Sequence, residues 1–353
     1  MRDRQTSLKA VSCGMATAVG LDAPTSCAAI RAGISGFRET RIMVLGGEYL
    51  RGAEVPLSRR LHGLPRLAAM IAGPIRECLA AEPSLRPETV PLLLAVAEPD
   101  RPGRVRDLDN RIIPFIEASL RTEFHERSRV FPIGRVAGGV ALSDARKLIT
   151  IHGFDRVLVA GVDSYLDERT IDVMDDAFRL LTERNSDGFV PGEAGAAVLL
   201  GAHCSDENLR IRSLGFAVEK AVMDGDLPLR GDGLAEAYRQ ALYDGGVDLH
   251  EMGFRVSDAS GEQYRFKEAA FAFARNTKVR KEFQDFWCPA DCIGETGAAV
   301  IPCMTGIVWW ACRKGYAPGP LSLLHAANDD GRRVAIVMEE ARPRSLEVAL
   351  SPR

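Results

Sequence analysis

Three stretches of this chain are apolar almost from end to end and have the length of single strands: Val90 to Val96, Arg156 to Gly161 and Ala194 to Gly201. A strand with one wet face alternates apolar and polar residues, so a run without alternation needs cover on both faces. The chain is thereby directed to a sheet sandwiched between helices. Leu8 to Val19 adds a strand-like run of small apolar residues. Leu64 to Ala80 places Leu67, Met70, Ile71, Ile75 and Leu79 at helical spacing. Helices are also predicted over Cys27–Ala32, Asp107–Phe124, 140–151 and Thr170–Glu183, whereas 37–62 reads as irregular and basic. The second half follows the same plan. Strands are predicted over Ile211–Val218, Gly253–Asp258, Ser322–Ala326 and Arg333–Glu339, and helices over Leu234–Tyr243, Tyr264–Ala274 and Ala298–Arg313. Two similar runs of strands and helices predict an internally duplicated α/β protein, with halves at 1–205 and 206–353.

Composition narrows the class further. Hydrophobic residues make up 46% of the 353 positions and net charge is only -3, which excludes disorder as the main state. The same balance gives no global case for a nucleic-acid or anionic-membrane partner. No uncharged apolar stretch reaches 18 residues; Ile293 to Cys312 contains Glu295 and reads as a buried helix. The N-terminus has no clean signal-peptide core, so a cytoplasmic protein is expected. Eight cysteines lie scattered without paired spacing, which argues against a disulfide framework or zinc site. The six histidines, 62, 125, 152, 203, 250 and 325, lack metal spacing and read as surface or helix-end residues. Neither metal nor cofactor is expected.

The strongest local signal is Asn185-Ser-Asp-Gly-Phe-Val-Pro-Gly-Glu-Ala-Gly195. Physically it is a tight turn before a core strand, with Asp187, Gly188, Gly192, Glu193 and Gly195 as its structural residues. It also closely resembles a stretch of the β-ketoacyl synthases of the thiolase-fold superfamily. Thr17 to Phe37, Asp155 to Asp163, Gly231 to Ala259 and Ile293 to Ala299 resemble further segments of those enzymes in the same order. The resemblance implies a thiolase-like α/β fold, with two similar halves forming one αβαβα layered core.

The family's chemistry needs a cysteine nucleophile at a helix N-terminus and two histidines. The matching nucleophile position here is Val136, or Arg135 if the register slips. Asp258 stands for the first histidine and Glu295 for the second. The closing glycine-rich loop is replaced by Asn328-Asp-Asp-Gly-Arg-Arg333, which reads as a solvated hairpin turn. A valine forms no thioester, and a carboxylate repels a developing enolate. Each such loss typically costs about 10²–10⁴ in rate, so condensation by the family route is not expected. Cys292 with a carboxylate is a conceivable rebuilt site, against the plainer reading of a small buried hydrophobe. Asp258 and Glu295 could face each other as paired carboxylates, or Arg135 could neutralise them in a buried charge cluster. Trp309-Trp310 reads as core or interface packing.

Three functions follow from the resemblance. One is a non-catalytic protein acting by protein contact: either like the chain-length factors, or as an accessory or chaperone to a type VI secretion effector or adaptor. The stretch Ser26 to Arg41 with Gly46 to Leu50 resembles ketosynthase-like proteins encoded beside such effectors. Another is an acyltransferase or hydrolase with a rebuilt site. The third is a module holding an acyl chain or an acyl carrier protein, with a basic patch from Arg51, Arg59, Arg60 and Arg66. The family likeness also implies a homodimer, paired through a strand near 155–166.

Overall fold

The computed structural model describes residues 8–202 and 209–341. The boundary between 205 and 206, together with His203 and Cys204, lies outside the described residues. The strands are β1 (Leu8–Ala16), β2 (Arg38–Met43), β3 (Tyr49–Gly52), β4 (Leu92–Val96), β5 (Arg129–Pro132), β6 (Arg156–Ser164), β7 (Glu193–Gly201), β8 (Leu209–Val218), β9 (Phe254–Ser257), β10 (Asp285–Trp287), β11 (Leu321–Ala327) and β12 (Arg332–Glu340). The helices are α1 (Ala23–Arg31), α2 (Gly63–Ala80), α3 (Leu108–Leu120), α4 (Ala137–Thr150), α5 (Glu168–Asp176), α6 (Asp232–Gly245), α7 (Gln263–Asn276), α8 (Ala290–Ile293) and α9 (Val300–Arg313).

The main sheet runs β10-β9-β11-β12-β8-β1-β7-β6-β4-β5. Read outward from its centre, each half has the same plan. β1 lies antiparallel to β7 and β7 to β6, then β4 and β5 continue parallel to β6. Likewise β8 lies antiparallel to β12 and β12 to β11, then β9 and β10 continue parallel. A three-residue antiparallel pairing, Leu8 to Ala10 against Leu209 to Ile211, joins the halves. Helices α4 and α9 pack with strands of both halves in the central apolar core. Outer layers are formed by α2 and α3 against the first half and by α6 against the second, where α7 packs beside it. The fully apolar runs are interior strands with a neighbour on each side: β4 and β7 are buried at every position. At about 1.5–3 kcal/mol per fully buried aliphatic side chain, Leu92, Leu93, Leu94, Leu199 and Leu200 alone drive this layering strongly.

Close helix approach is set by small residues. A Cβ on Gly138 would sit 2.7 Å from Ile301 Cβ, and one on Gly139 would sit 2.7 Å from Val334 Cγ2. These glycines let α4 lie against α9 and β12.

Several expectations are corrected. Residues 38–52 are not irregular but a hairpin, β2–β3, pairing Arg38 with Gly52 and Met43 with Tyr49. Its charged, alternating residues carry little apolar signal. The helix expected to reach Glu183 stops at Asp176, because the chain turns through Phe178 at φ 54 and then bridges Leu180 to Phe189. The segment 155–166 supplies no dimer edge: β6 is paired on both sides, by β4 and β7, and the free edge of that half belongs to β5.

Candidate functional site

Between β5 and α4 the chain makes a short helical turn, Gly134–Val136, entered through Gly134 at φ 66. Val136 points into the apolar core, and its N–H donates to Asn328 Oδ1 at 3.1 Å. Arg135 is the residue that reaches the site. Its side chain is buried, its Nε lies 3.1 Å from Glu295 Oε1, and its Nη1 donates to Ala327 O (3.1 Å) and Asp329 Oδ1 (3.2 Å).

Glu295 sits between α8 and the turn that opens α9. Its Oε1 accepts from Gly297 N–H at 2.9 Å and its Oε2 from Ser260 Oγ at 2.8 Å. Burial pushes its carboxyl up, but the Arg135 guanidinium and these donors outweigh that and hold it below the usual carboxylate range. Asp258 follows β9, and its Oδ2 accepts from Ala327 N–H at 2.8 Å. No guanidinium is paired with it. Burial therefore dominates and pushes it up to about 6, partly offset by Arg265 and Arg135. Both carboxylates line one enclosed space of about 10 Å³, whose wall includes Ser257, Cys303 and Met304. A water needs about 10–15 Å³ measured in this way. The space is at most the size of one water, and an acyl chain does not fit.

A second tier of charge closes the site from outside. Asp329 binds Arg135, Arg265 and Arg179, the last through Nη1 to Oδ2 at 2.8 Å. Arg179 also grips Glu262 with both arms of its fork, Nε to Oε1 at 2.7 Å and Nη2 to Oε2 at 2.9 Å. Three guanidinium groups hold the Asp329 carboxyl far below its ordinary range. The turn is solvated at Asp329, Asp330 and Arg332, as expected, but Asp329 is also the centre of an ion network. Arg333 is fully buried, donating through Nε to Glu268 at 2.7 Å. Arg179, the α7 pair Glu262 and Arg265, and Asp329 come from three separate segments, and no spacing in the sequence marks these segments as neighbours.

The cysteines do not supply a nucleophile here. Cys292 is buried beside Ile30 O, off the wall of the small cavity, and burial raises its thiol pKa. Cys303 lines the cavity, and burial pushes its thiol far up as well. Neither has the cationic surroundings that favour thiolate.

His325 corrects the expectation of surface histidines. It is buried in β11, with Nδ1 2.8 Å from Tyr238 Oη and Nε2 2.8 Å from Ser257 Oγ. Burial and nearby arginines push it down to about 3, so the ring is neutral. Trp309 and Trp310 stack at 5.4 Å, and Trp309 Nε1 donates to Ala10 O.

The turn Asp187 to Gly195 is a clamp. Asp187 Oδ1 accepts from Gln263 N–H at 2.7 Å. Glu193 is fully buried and accepts from Val55 N–H and Ser164 Oγ, each at 2.9 Å, and from Arg66. A Cβ on Gly188 would press on Leu180, one on Gly192 on Ile293 O, and one on Gly195 on Met70 O. Since Arg66 is committed to Glu193, it is not part of an open basic patch; Arg51, Arg59 and Arg60 are exposed. Among the described residues, no group of three or more His, Cys, Asp or Glu side chains could hold a metal ion. No helix among them is long and apolar enough to cross a membrane.

The repeated five-strand plan and the shared helical layer are those of the thiolase-like fold seen in ketosynthases. Among solved structures, the chain is similar to the ketosynthase ApeO in complex with its chain length factor ApeC from Xenorhabdus doucetiae, with TM-score 0.74 and 13% identity over 97% of this chain and 100% of that one. It is similar to the ishigamide ketosynthase/chain length factor, with TM-score 0.75 and 16% identity over 94% and 98%. It also resembles a type II polyketide synthase ketosynthase in complex with its acyl carrier protein, with TM-score 0.75 and 14% identity over 95% and 99%. No protein-family model matches the chain, and no curated protein matches it in sequence.

Proposed function

We propose that this protein is a ketosynthase-fold protein that works by binding another protein and does not condense acyl thioesters. One observation carries the reading. Arg135 occupies the strand-to-helix junction expected for the nucleophile and is locked to Glu295 beside a space of about 10 Å³. An arginine there cannot take an acyl group, and the enclosed carboxylates leave no room for one. Purified protein incubated with acetyl- and longer acyl-coenzyme A is expected to show no covalent adduct by mass spectrometry and no thioester hydrolysis above background. A stoichiometric adduct or clear turnover refutes the reading and favours a rebuilt acyltransferase or hydrolase.

The partner follows from two likenesses. Several similar structures are complexes of a ketosynthase with a chain length factor or an acyl carrier protein. This supports a role as the silent member of a heterodimer or as a carrier-binding partner. The stretch Ser26 to Arg41 with Gly46 to Leu50 supports instead an accessory to a type VI secretion effector or adaptor. Co-purification separates them: an active ketosynthase or carrier protein supports the first, and an effector encoded beside this chain supports the second. A homodimer in light scattering is the expected state of the chain alone, with the free edge of β5 as the pairing strand.

A further inference from the structure

The C-terminal end of α9 carries a motif that the site at Glu295 does not use. Trp309-Trp310 is followed one turn later by Arg313-Lys314. Residues four apart are neighbours on a helix surface, and each cation lies over its own ring. Arg313 Cζ is 5.1 Å from the Trp309 ring centre, and Lys314 Nζ is 5.1 Å from that of Trp310. A third pair comes from α1, whose last residue, Arg31, holds its Cζ 4.1 Å over the ring of Tyr316. All three cations are exposed, whereas Trp309 is buried and Trp310 and Tyr316 are half-buried. The 14 residues of α9 rise about 21 Å, so this surface lies at the far end of the helix from Glu295.

We propose that this surface docks an acidic segment of a protein partner. The inference rests on the protein-contact reading and names the chemistry of one contact.

Three observations carry it. The first is unspent charge. Among the described residues, Arg31, Arg313 and Lys314 have no carboxylate partner and rest on rings instead. Asp285 and Asp291 lie on either side of Trp287 in the chain, and the Trp287 ring is 6.4 Å from that of Tyr316. Neither carboxylate pairs with the three cations. The Asp291 carboxyl is pushed up by burial, with no cation lowering it. Even with both aspartates counted, three cations leave the surface positive.

The second is order. A guanidinium held over an aromatic face keeps its in-plane N–H groups available to a carboxylate fork. Arg31 and Arg313 donate to no group among the described residues. The rings therefore position these donors before any partner arrives, which reduces the ordering cost of binding.

The third is the cover on the rings. Stacking of nucleic-acid bases needs an open aromatic face, and a membrane anchor needs aromatic rings that reach the interface. Here each ring lies beneath a cation, and Trp309 and Trp310 also stack on each other. Carboxylates on a polypeptide use what remains, the charged groups themselves.

The test is fluorescence anisotropy of a short labelled peptide of alternating glutamate and serine, titrated with the full chain at low and at physiological salt. Saturable binding that weakens with salt is expected. Arg31→Gln combined with Arg313→Gln is expected to weaken it about tenfold or more. Arg59→Gln combined with Arg60→Gln removes as many exposed charges elsewhere and should leave affinity unchanged. Circular dichroism checks that each variant folds. A thymidine oligonucleotide and phosphatidylserine-containing vesicles, titrated in parallel, should bind more weakly than the peptide. No saturable peptide binding, a loss no larger in the Arg31 and Arg313 variant than in the Arg59 and Arg60 variant, or tighter binding of the oligonucleotide or the vesicles overturns the proposal. The thioester assay separates this from the wider reading: a missing peptide signal together with no acyl adduct removes this surface and leaves the protein-contact reading standing.

Discussion

Replacing Arg135 by methionine keeps much of the side chain's apolar volume and removes its charge. Glu295 would then be buried without the cation 3.1 Å from Oε1, although Gly297 N–H and Ser260 Oγ would still donate to it. Breaking a buried pair by removing one partner costs about 3–5 kcal/mol. The cost should depend on pH, and the sign follows from the change at Glu295. In the native protein its carboxyl is held low, so it contributes stability that is lost as pH falls. Without Arg135, burial dominates and the carboxyl rises above its unfolded value. The variant then loses stability as pH increases, by at most about 1.4 kcal/mol per pH unit while Glu295 remains protonated in the native state. Urea denaturation of wild type, Arg135→Met, Glu295→Gln and the double variant between pH 5 and 8 measures this. The double variant should recover most of the loss, since no orphaned charge remains on Glu295. A loss below about 1 kcal/mol for Arg135→Met, or one that does not change with pH, refutes the view of this pair as a locked ion pair.

Asp258 gives the complementary case. Its carboxyl is raised from 3.8 to about 6, so native protein binds the extra proton and stability declines as pH rises from about 4 to 6. Asp258→Asn, which retains an acceptor for Ala327 N–H, should match wild type below pH 4 and exceed it by up to about 3 kcal/mol above pH 7. A difference independent of pH would show that burial does not control this group. Gly138→Ala should lose about 1–3 kcal/mol in chemical denaturation, because its Cβ would meet Ile301 and Pro302; a neutral result would mean α4 and α9 can move apart freely. Phe178→Gly should leave stability unchanged or raise it by up to about 1 kcal/mol, since φ 54 is unfavourable for phenylalanine. A loss greater than about 1 kcal/mol would show that the exposed ring contributes packing.

The layered fold was legible because its interior strands carry their own signal. Val90 to Val96 and Ala194 to Gly201 are apolar throughout, and only a doubly covered sheet accepts them. The hairpin at 38–52 escaped because Arg38, Glu39, Arg41 and Arg51 alternate with few apolar partners, and Asp285 to Trp287 is too short to show a period. That Arg135 rather than Val136 faces Glu295 depends on the turn at Gly134, which no sequence spacing shows. The neighbours Arg179, Glu262 and Arg265 were invisible for a different reason: ion pairing across distant segments leaves no periodic trace. His325 misled because a single histidine in an apolar run looks the same whether it is at an edge or sealed between Ser257 and Tyr238.

The ion network at Asp329 has a consequence for how the molecule comes apart. Arg135 and Arg179 belong to the first half of the chain, whereas Glu262, Arg265, Glu295 and Asp329 belong to the second. Separating the halves would strand charges of both signs on the newly opened faces and expose the apolar layer shared by α4 and α9 at once. The repeated halves therefore stand in the relation of lock and frame, not of two beads on a string, and heat should melt them in a single calorimetric transition.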